Sequence, residues 1–262
     1  MIEVKVVKDS VYNGNRLTTL ELEYPRYIHS EFMTHRVFSR NAQSNRAIPV
    51  LKQIERVEES TWFPIFMENQ AGMTASTPLT GSKLKNAQNK WSMAKLDAIH
   101  HALRMAEIGV HKQIVNRIIE PYSTIKVIVS ATEWDNFFSL RIHPAAQQEI
   151  FELATAMSKV LYSSTPKMVD VGNWHLPYIR EDEEVLPIDI QKKISAARCA
   201  RVSYLTHDGQ RDIEKDLALF DQLAKERHMS PFEHVATPDT NERTSNFIGW
   251  KQSRWYLERE IQ

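Results

Sequence analysis

Residues 34–46 read THRVFSRNAQSNR: three arginines, one histidine, two serines and two asparagines, with no acidic residue and no glycine. So many donors without a counter-charge need acceptors from elsewhere, and the whole chain narrows what those can be. Its 262 residues carry 33 basic and 33 acidic side chains, a net charge of +0, so no general basic surface for a nucleic acid polymer is expected. The donors therefore point to small anions held in a local pocket, and phosphate suits them because guanidinium groups bind it bidentately. The usual backbone cradle for phosphate is missing: the chain has seven glycines and neither GxGxxG nor GxxxxGK. Side chains would have to do the holding.

Upstream of this stretch, residues 2–7 and 17–24 alternate apolar and polar positions and predict two strands joined through Asn13-Gly14, a hairpin signal. Pro25 is expected at the first position of a helix that aligns Ile28, Phe32 and His35. The donor stretch then begins at a helix end and continues as a loop. Downstream, residues 68–84 are rich in small and turn-forming types and predict a loop or lid. A helix is expected from about 86 to 110 with Trp91, Leu96, Ile99, Leu103 and Ala106 on one face. HKQIVNRII predicts another, stopped by Pro121, and TIKVIVSA a strand. Residues 144–161 predict the clearest helix, starting near Pro144 and burying Ile150, Leu153, Ala154, Met157 and Leu161. Residues 163–190, with the run REDEE, predict an exposed connector, and helices follow at about 190–200 and 212–227. The sum is an α+β chain with a mixed sheet and a helical bundle, lacking the alternation of a doubly wound fold.

Cys199 is the only cysteine, so no disulfide framework exists and a reducing compartment is expected. No apolar run approaches membrane-spanning length, and the opening residues alternate too regularly for a signal peptide; a cytoplasmic protein is expected. Arg117 and Arg141 each interrupt an apolar helical stretch, where a guanidinium is costly unless an anion or several acceptors meet it. In ERHMSPFEHVATP, Pro231 breaks the helical i,i+4 histidine spacing of a zinc site, so no metal is expected. No serine sits in a G-x-S-x-G elbow.

Taken together, these segments resemble the flavin-dependent thymidylate synthases. Thr34-His35-Arg36, Ser39, Asn41, Ser44 and Arg46 match in register the family's RHR, S, N and SxR pattern. ARVSYL at 200–205 with HMSPFEH at 228–234, and NFFSLR at 136–141 with AQQEI at 146–150, match its other signatures. The order differs from the family's: the ARVS and SPFEH part comes last, so the chain resembles a circular permutation. One catalytic domain, 1–262, is expected, with the RHR-like and helical part in 1–165 and the permuted part in 190–262 packed beside residues 1–36.

The resemblance implies C5 methylation of dUMP, the carbon coming from methylenetetrahydrofolate and the electrons from NADPH through FAD. By position it assigns Thr34, His35, Arg36, Asn41, Asn136, His228 and Ser230 to the flavin. Glu31, Ser44, Arg46, Arg117 and Arg141 fall to the nucleotide, with Arg141 facing the uracil ring and favouring its N3-ionised form. It also implies a homotetramer with sites between subunits. Three positions depart from the pattern: Thr34 replaces an arginine, Ala42 an acidic residue and Glu31 a glutamine. A glutamate beside a base accepts from an exocyclic amine, so a related hydroxymethylation of dUMP or dCMP is the alternative. A nucleotide- or flavin-binding protein without catalysis is a further one. Arg254 offers a possible replacement donor.

Overall fold

The computed structural model describes residues 2–203 and 212–260. The first hairpin forms as expected and runs longer: β1 spans Glu3–Tyr12 and β2 Asn15–Pro25. Asn13 and Gly14 both take positive φ, 46° and 79°, the pattern of a type I′ turn, whose twist matches the strands it joins. Pro25 ends β2 instead of starting a helix. Its fixed φ leads into a 3-10 turn, Arg26–Ile28, and the short helix α1, His29–Phe32.

The donor stretch contributes β3, Ser39–Ala42, beside β4, Thr124–Ala131. With β5, Lys167–Met168, these strands form one mixed sheet in the order β3-β4-β2-β1-β5, antiparallel except for the β1–β5 pair. Alternation along β2 and β4 sends Leu20, Leu22 and Tyr24 with Ile125, Val127 and Val129 to one face. There they pack on α1, α5 (Asp135–Arg141) and α6 (Gln148–Ser163), and α6 buries the five residues expected of it. Beyond the sheet, α2 (Val50–Glu59), α3 (Gly81–Glu107) and α4 (Lys112–Ile118) share a second core around Ile54, Ile99 and Val115. The face expected on α3 is rotated: Ile99 and Ala102 are buried, and Leu96 is exposed, because the partners α2 and α4 lie to one side of it. The loop expected at 68–84 ends at Thr80, where α3 starts.

The other sheet face carries α7 (Ile188–Ala200), α8 (Ile213–Lys225), a hairpin of β6 (Ala236–Thr244) and β7 (Phe247–Gln252), and α9 (Ser253–Glu260). This hairpin escapes the sequence pattern, because Pro238 and the polar run 239–244 hide its alternation. The segment seats on the turn end of the first hairpin, where Trp250 Nε1 donates to Asn15 O (3.1 Å) and packs with Leu17 and Phe247. It therefore lies beside residues 1–36 at Tyr12–Leu17. Glu3, in register with Glu23, sits at the opposite end of the strand, roughly 30 Å along it; Met1 falls outside the described residues. Nor is the acidic connector wholly exposed: Glu183 is 4% exposed and takes two hydrogen bonds from Arg198, both 2.6 Å, while Asp216 takes a third (3.0 Å). Among the described residues no helix is long and apolar enough to cross a membrane.

At the centre of the seam lies a buried chain of hydroxyls and imidazoles. Ser39, Ser130 and Thr19 share one rung of β3, β4 and β2. Ser10 Oγ meets His175 Nδ1 (2.8 Å), His175 Nε2 meets Thr19 Oγ1 (2.8 Å), Thr19 meets Ser130 (2.6 Å), and Ser130 meets His234 Nδ1 (2.8 Å). Burial pushes His175 well below its ordinary range, aided by Lys8 and His234, and lowers His234 to about 3. Both rings stand neutral: His175 has a hydroxyl at each nitrogen, whereas His234 meets Ser130 at Nδ1 and its Nε2 is buried without a hydrogen-bond partner among the described residues.

Candidate active site

The donor stretch and the end of α5 meet at Arg141. Its Nε donates to His35 Nε2 (2.9 Å), its Nη2 to Thr34 Oγ1 (3.3 Å), and its Nη1 lies 3.7 Å from Glu31 Oε2. Arginine has no acceptor, so His35 Nε2 is unprotonated and the ring is neutral with its proton on Nδ1. Burial lowers His35 to about 4, with Arg141 and Arg40 adding to the effect. The ring stands edge-on to Phe137, centroids 4.8 Å apart, so the apolar core fixes the imidazole and the imidazole fixes the guanidinium. Arg141 keeps 21% of its side chain exposed and Glu31 35%, so a ligand can reach both.

A second junction joins the two parts of the chain. Asn41 Nδ2 donates to Cys199 O (2.8 Å), and Ser230 Oγ donates to Asn41 Oδ1 (3.2 Å). A third group lies at the far end of β3. Asn116 Nδ2 donates to the carbonyls of Asn45 (2.8 Å) and Ile48 (3.0 Å), while Asn45 Nδ2 donates to Glu120 Oε1 (2.8 Å). This holds the loop bearing Ser44 and Arg46 against α4 and Arg117. Arg117 is no costly buried cation, however: it is 58% exposed and pairs with Glu120 at 3.1 Å, because α4 ends there at the surface.

The remaining site candidates stand apart. Arg36, Arg46 and Asn136 are exposed, and neither arginine pairs with a carboxylate among the described residues. His228 is exposed and lies 3.2 Å from Glu226. Arg40, one of the donors of the opening stretch, is spent on the chain itself: its Nη1 donates to the carbonyls of Phe32, Met33 and His35 at 3.3, 2.9 and 3.0 Å. Arg254 is likewise spent, on Glu233 (2.6 Å) and Glu258 (2.8 Å). Arg201 pairs with Asp216 at 3.2 Å, and the rest of its motif, Tyr204 and Leu205, lies outside the described residues. Sequence reasoning missed Glu149, a buried carboxylate that accepts from Ile65 N (3.0 Å) and Gln147 Nε2 (2.9 Å). It anchors the 60–80 loop over a cleft of about 510 Å3 lined by Tyr27, Met67, Met73 and Trp91. The only available signal was its place in AQQEI.

The donor set suits an anionic, partly aromatic cofactor such as a flavin dinucleotide. Arg36 offers a guanidinium with no carboxylate to satisfy it among the described residues, Asn136 an exposed amide, and Met33, Val37 and Leu140 an exposed apolar rim. All five lie in the two segments that Arg141 ties together. Cys199, by contrast, is fully buried, and burial pushes its thiol well above its usual range.

Comparison with known proteins adds to this. The family model described as thymidylate synthase complementing protein matches residues 16–167, more than half of the chain. Among solved structures, the UMP/dUMP methylase PolB from Streptomyces cacaoi bound with 5-Br dUMP matches at 15% identity and a TM-score of 0.50. That match covers 64% of this chain and 92% of that one. The same methylase bound with 5-Br UMP matches at 16% identity, over 64% and 90%, with a TM-score of 0.49. At this identity the likeness concerns the fold. A comparison with curated proteins returns no match.

Proposed function

The chain belongs to the thymidylate synthase complementing proteins, the flavin-dependent thymidylate synthase family, and from that premise we propose that it methylates C5 of dUMP. In this reading the one-carbon unit comes from methylenetetrahydrofolate and the electrons from NADPH by way of FAD. The observation that carries it is the presentation of Arg141, a partly exposed guanidinium oriented by His35 and Thr34 at the family's ring-facing position. Held there, it would donate to the pyrimidine edge and stabilise negative charge that builds on the ring as C5 becomes nucleophilic. The neutral His35 supports this, since an imidazolium in its place would repel Arg141 and could accept nothing from it.

Arg36 and Asn136 would hold FAD, with Thr34, His35, Asn41, His228 and Ser230 in supporting contact, and bound FAD would supply hydride to the transferred carbon. Ser44, Arg46 and Arg117 would hold the nucleotide phosphate and sugar. The state of Cys199 agrees with a flavin route: a mechanism that adds a cysteine to C6 of the ring needs an accessible thiolate, and the one thiol in the chain is buried. Groups on an open rim in one copy, beside exposed Leu140 and Ile142 near Arg141, fit completion of the site by neighbouring copies in a cytoplasmic homotetramer. The C-terminal part packs directly on the matched segment, with Cys199 and Ser230 bonded to Asn41 and His234 to Ser130.

The test is direct. Purified protein should bind FAD and turn yellow. With dUMP, methylenetetrahydrofolate and NADPH it should yield a nucleotide heavier by one methyl group. A product heavier by a hydroxymethyl group would replace this reading with the hydroxymethylation alternative, and colourless protein that takes up no FAD would refute both.

A further inference from the structure

The Glu31–Arg141 pair narrows the pyrimidine-nucleotide reading on which this inference rests. We infer that the site takes cytosine as well as uracil nucleotides, binding dCMP at least as tightly as dUMP, with Glu31 reading the exocyclic amine.

The two side chains form an open jaw. Arg141 Nη1 and Glu31 Oε2 stand 3.7 Å apart, wider than the 2.7–2.9 Å of a charge-assisted hydrogen bond. Among the described residues no donor bonds the Glu31 carboxylate and no second cation pairs with it. Thr34 does not offset its charge either: the Thr34 hydroxyl donates to the Glu31 backbone carbonyl (2.7 Å) and accepts from Arg141. One side of the jaw thus holds guanidinium donors and the other an unfilled acceptor, both reachable from solvent.

The pairing edge of cytosine offers an amine donor at N4 followed by acceptors at N3 and O2, which meets an acceptor beside two donors at every position. Uracil offers an acceptor at O4 and a donor at N3. O4 would face the carboxylate, and ionising N3 would set a second negative charge beside it. Glu31 is exposed enough to swing into water when uracil enters, so uracil is admitted at the cost of that contact. Sites that bond a polar substrate group discriminate strongly against an analogue that leaves the protein partner unpaired.

The experiment is calorimetric titration of the full chain, with FAD added, against dCMP and dUMP, using wild type and Glu31→Gln. An amide can donate to O4, so the substitution should move the ratio of the two dissociation constants toward dUMP by about tenfold or more. Wild type should bind dCMP no more weakly than dUMP. A wild-type preference for dUMP of about tenfold, or a ratio that moves by less than about twofold in Glu31→Gln, overturns the inference while leaving the nucleotide reading intact. If neither nucleotide binds, the nucleotide reading fails and the inference falls with it. If Glu31→Gln does not fold, the wild-type ratio alone decides.

Discussion

Mild acid should remove a large share of this protein's stability. Three histidines titrate far below their ordinary 6.5: His29 at about 4, His35 at about 4 and His234 at about 3. Burial is the first cause in each, and for His29 and His35 nearby arginines add to it. A histidine lowered in this way stays neutral in the fold, whereas the unfolded chain takes up its proton. The stability it contributes is fully present above 6.5 and drains away as the pH falls from there toward the folded value. At about pH 5 an unfolded imidazole is more than nine-tenths protonated, worth roughly 2 kcal/mol for each histidine. The three together give roughly 6 kcal/mol between about pH 7 and pH 5, and His175 acts in the same direction. That is comparable with the whole stability of an ordinary domain, about 5–15 kcal/mol. Urea titrations followed by tryptophan fluorescence at both pH values, at fixed ionic strength, measure it. His234→Asn keeps a partner for Ser130 and cannot titrate, so its loss over the same interval should be smaller by roughly 2 kcal/mol. A wild-type loss below roughly 2 kcal/mol would refute the claim that these rings are held neutral.

Arg198→Met should cost about 3–5 kcal/mol in urea unfolding, because it strands the almost fully buried Glu183 without a cation and leaves Asp216 with Arg201 alone; a loss under about 1 kcal/mol would mean that water reaches Glu183. Arg141→Ala should lower turnover by about 100-fold or more with little change in melting temperature, and Arg141→Lys should not restore it, since an ammonium cannot span His35 and Thr34. Retained activity in either variant would take Arg141 out of the reaction. Gly249→Ala should destabilise by about 1–3 kcal/mol: Gly249 has φ 75°, and a Cβ there would lie 2.4 Å from Asn15 Nδ2. Adding Asn15→Gly should recover the steric part in the same unfolding assay, and an additive double variant would contradict the contact.

The parts of the fold written in local pattern were legible in the sequence. The hairpin at Asn13-Gly14, strand β4 and the buried stripe of α6 each rest on a turn type or a periodicity that near neighbours enforce. What escaped was set by distant partners. The chain cannot announce that Glu183 in an acidic run meets Arg198, or that α3 buries Ile99 in preference to Leu96. Nor can it say which of several arginines will be spent internally: Arg40 and Arg117 look equally available in sequence. One closes a helix end and the other sits at the surface beside Glu120. The cluster of Glu31, Thr34, His35 and Arg141 was named residue by residue through resemblance; that all three flank a single guanidinium needed coordinates.

The seam through Thr19, Ser130, His175 and His234 involves no covalent link and is polar at its middle with apolar flanks, Leu17 with Trp250 on one side and Ile128 with Cys199 on the other. Two polypeptides supplied separately, one ending after β5 and the other beginning before His175, would carry complementary halves of it, and burying the apolar flanks would drive their reassembly.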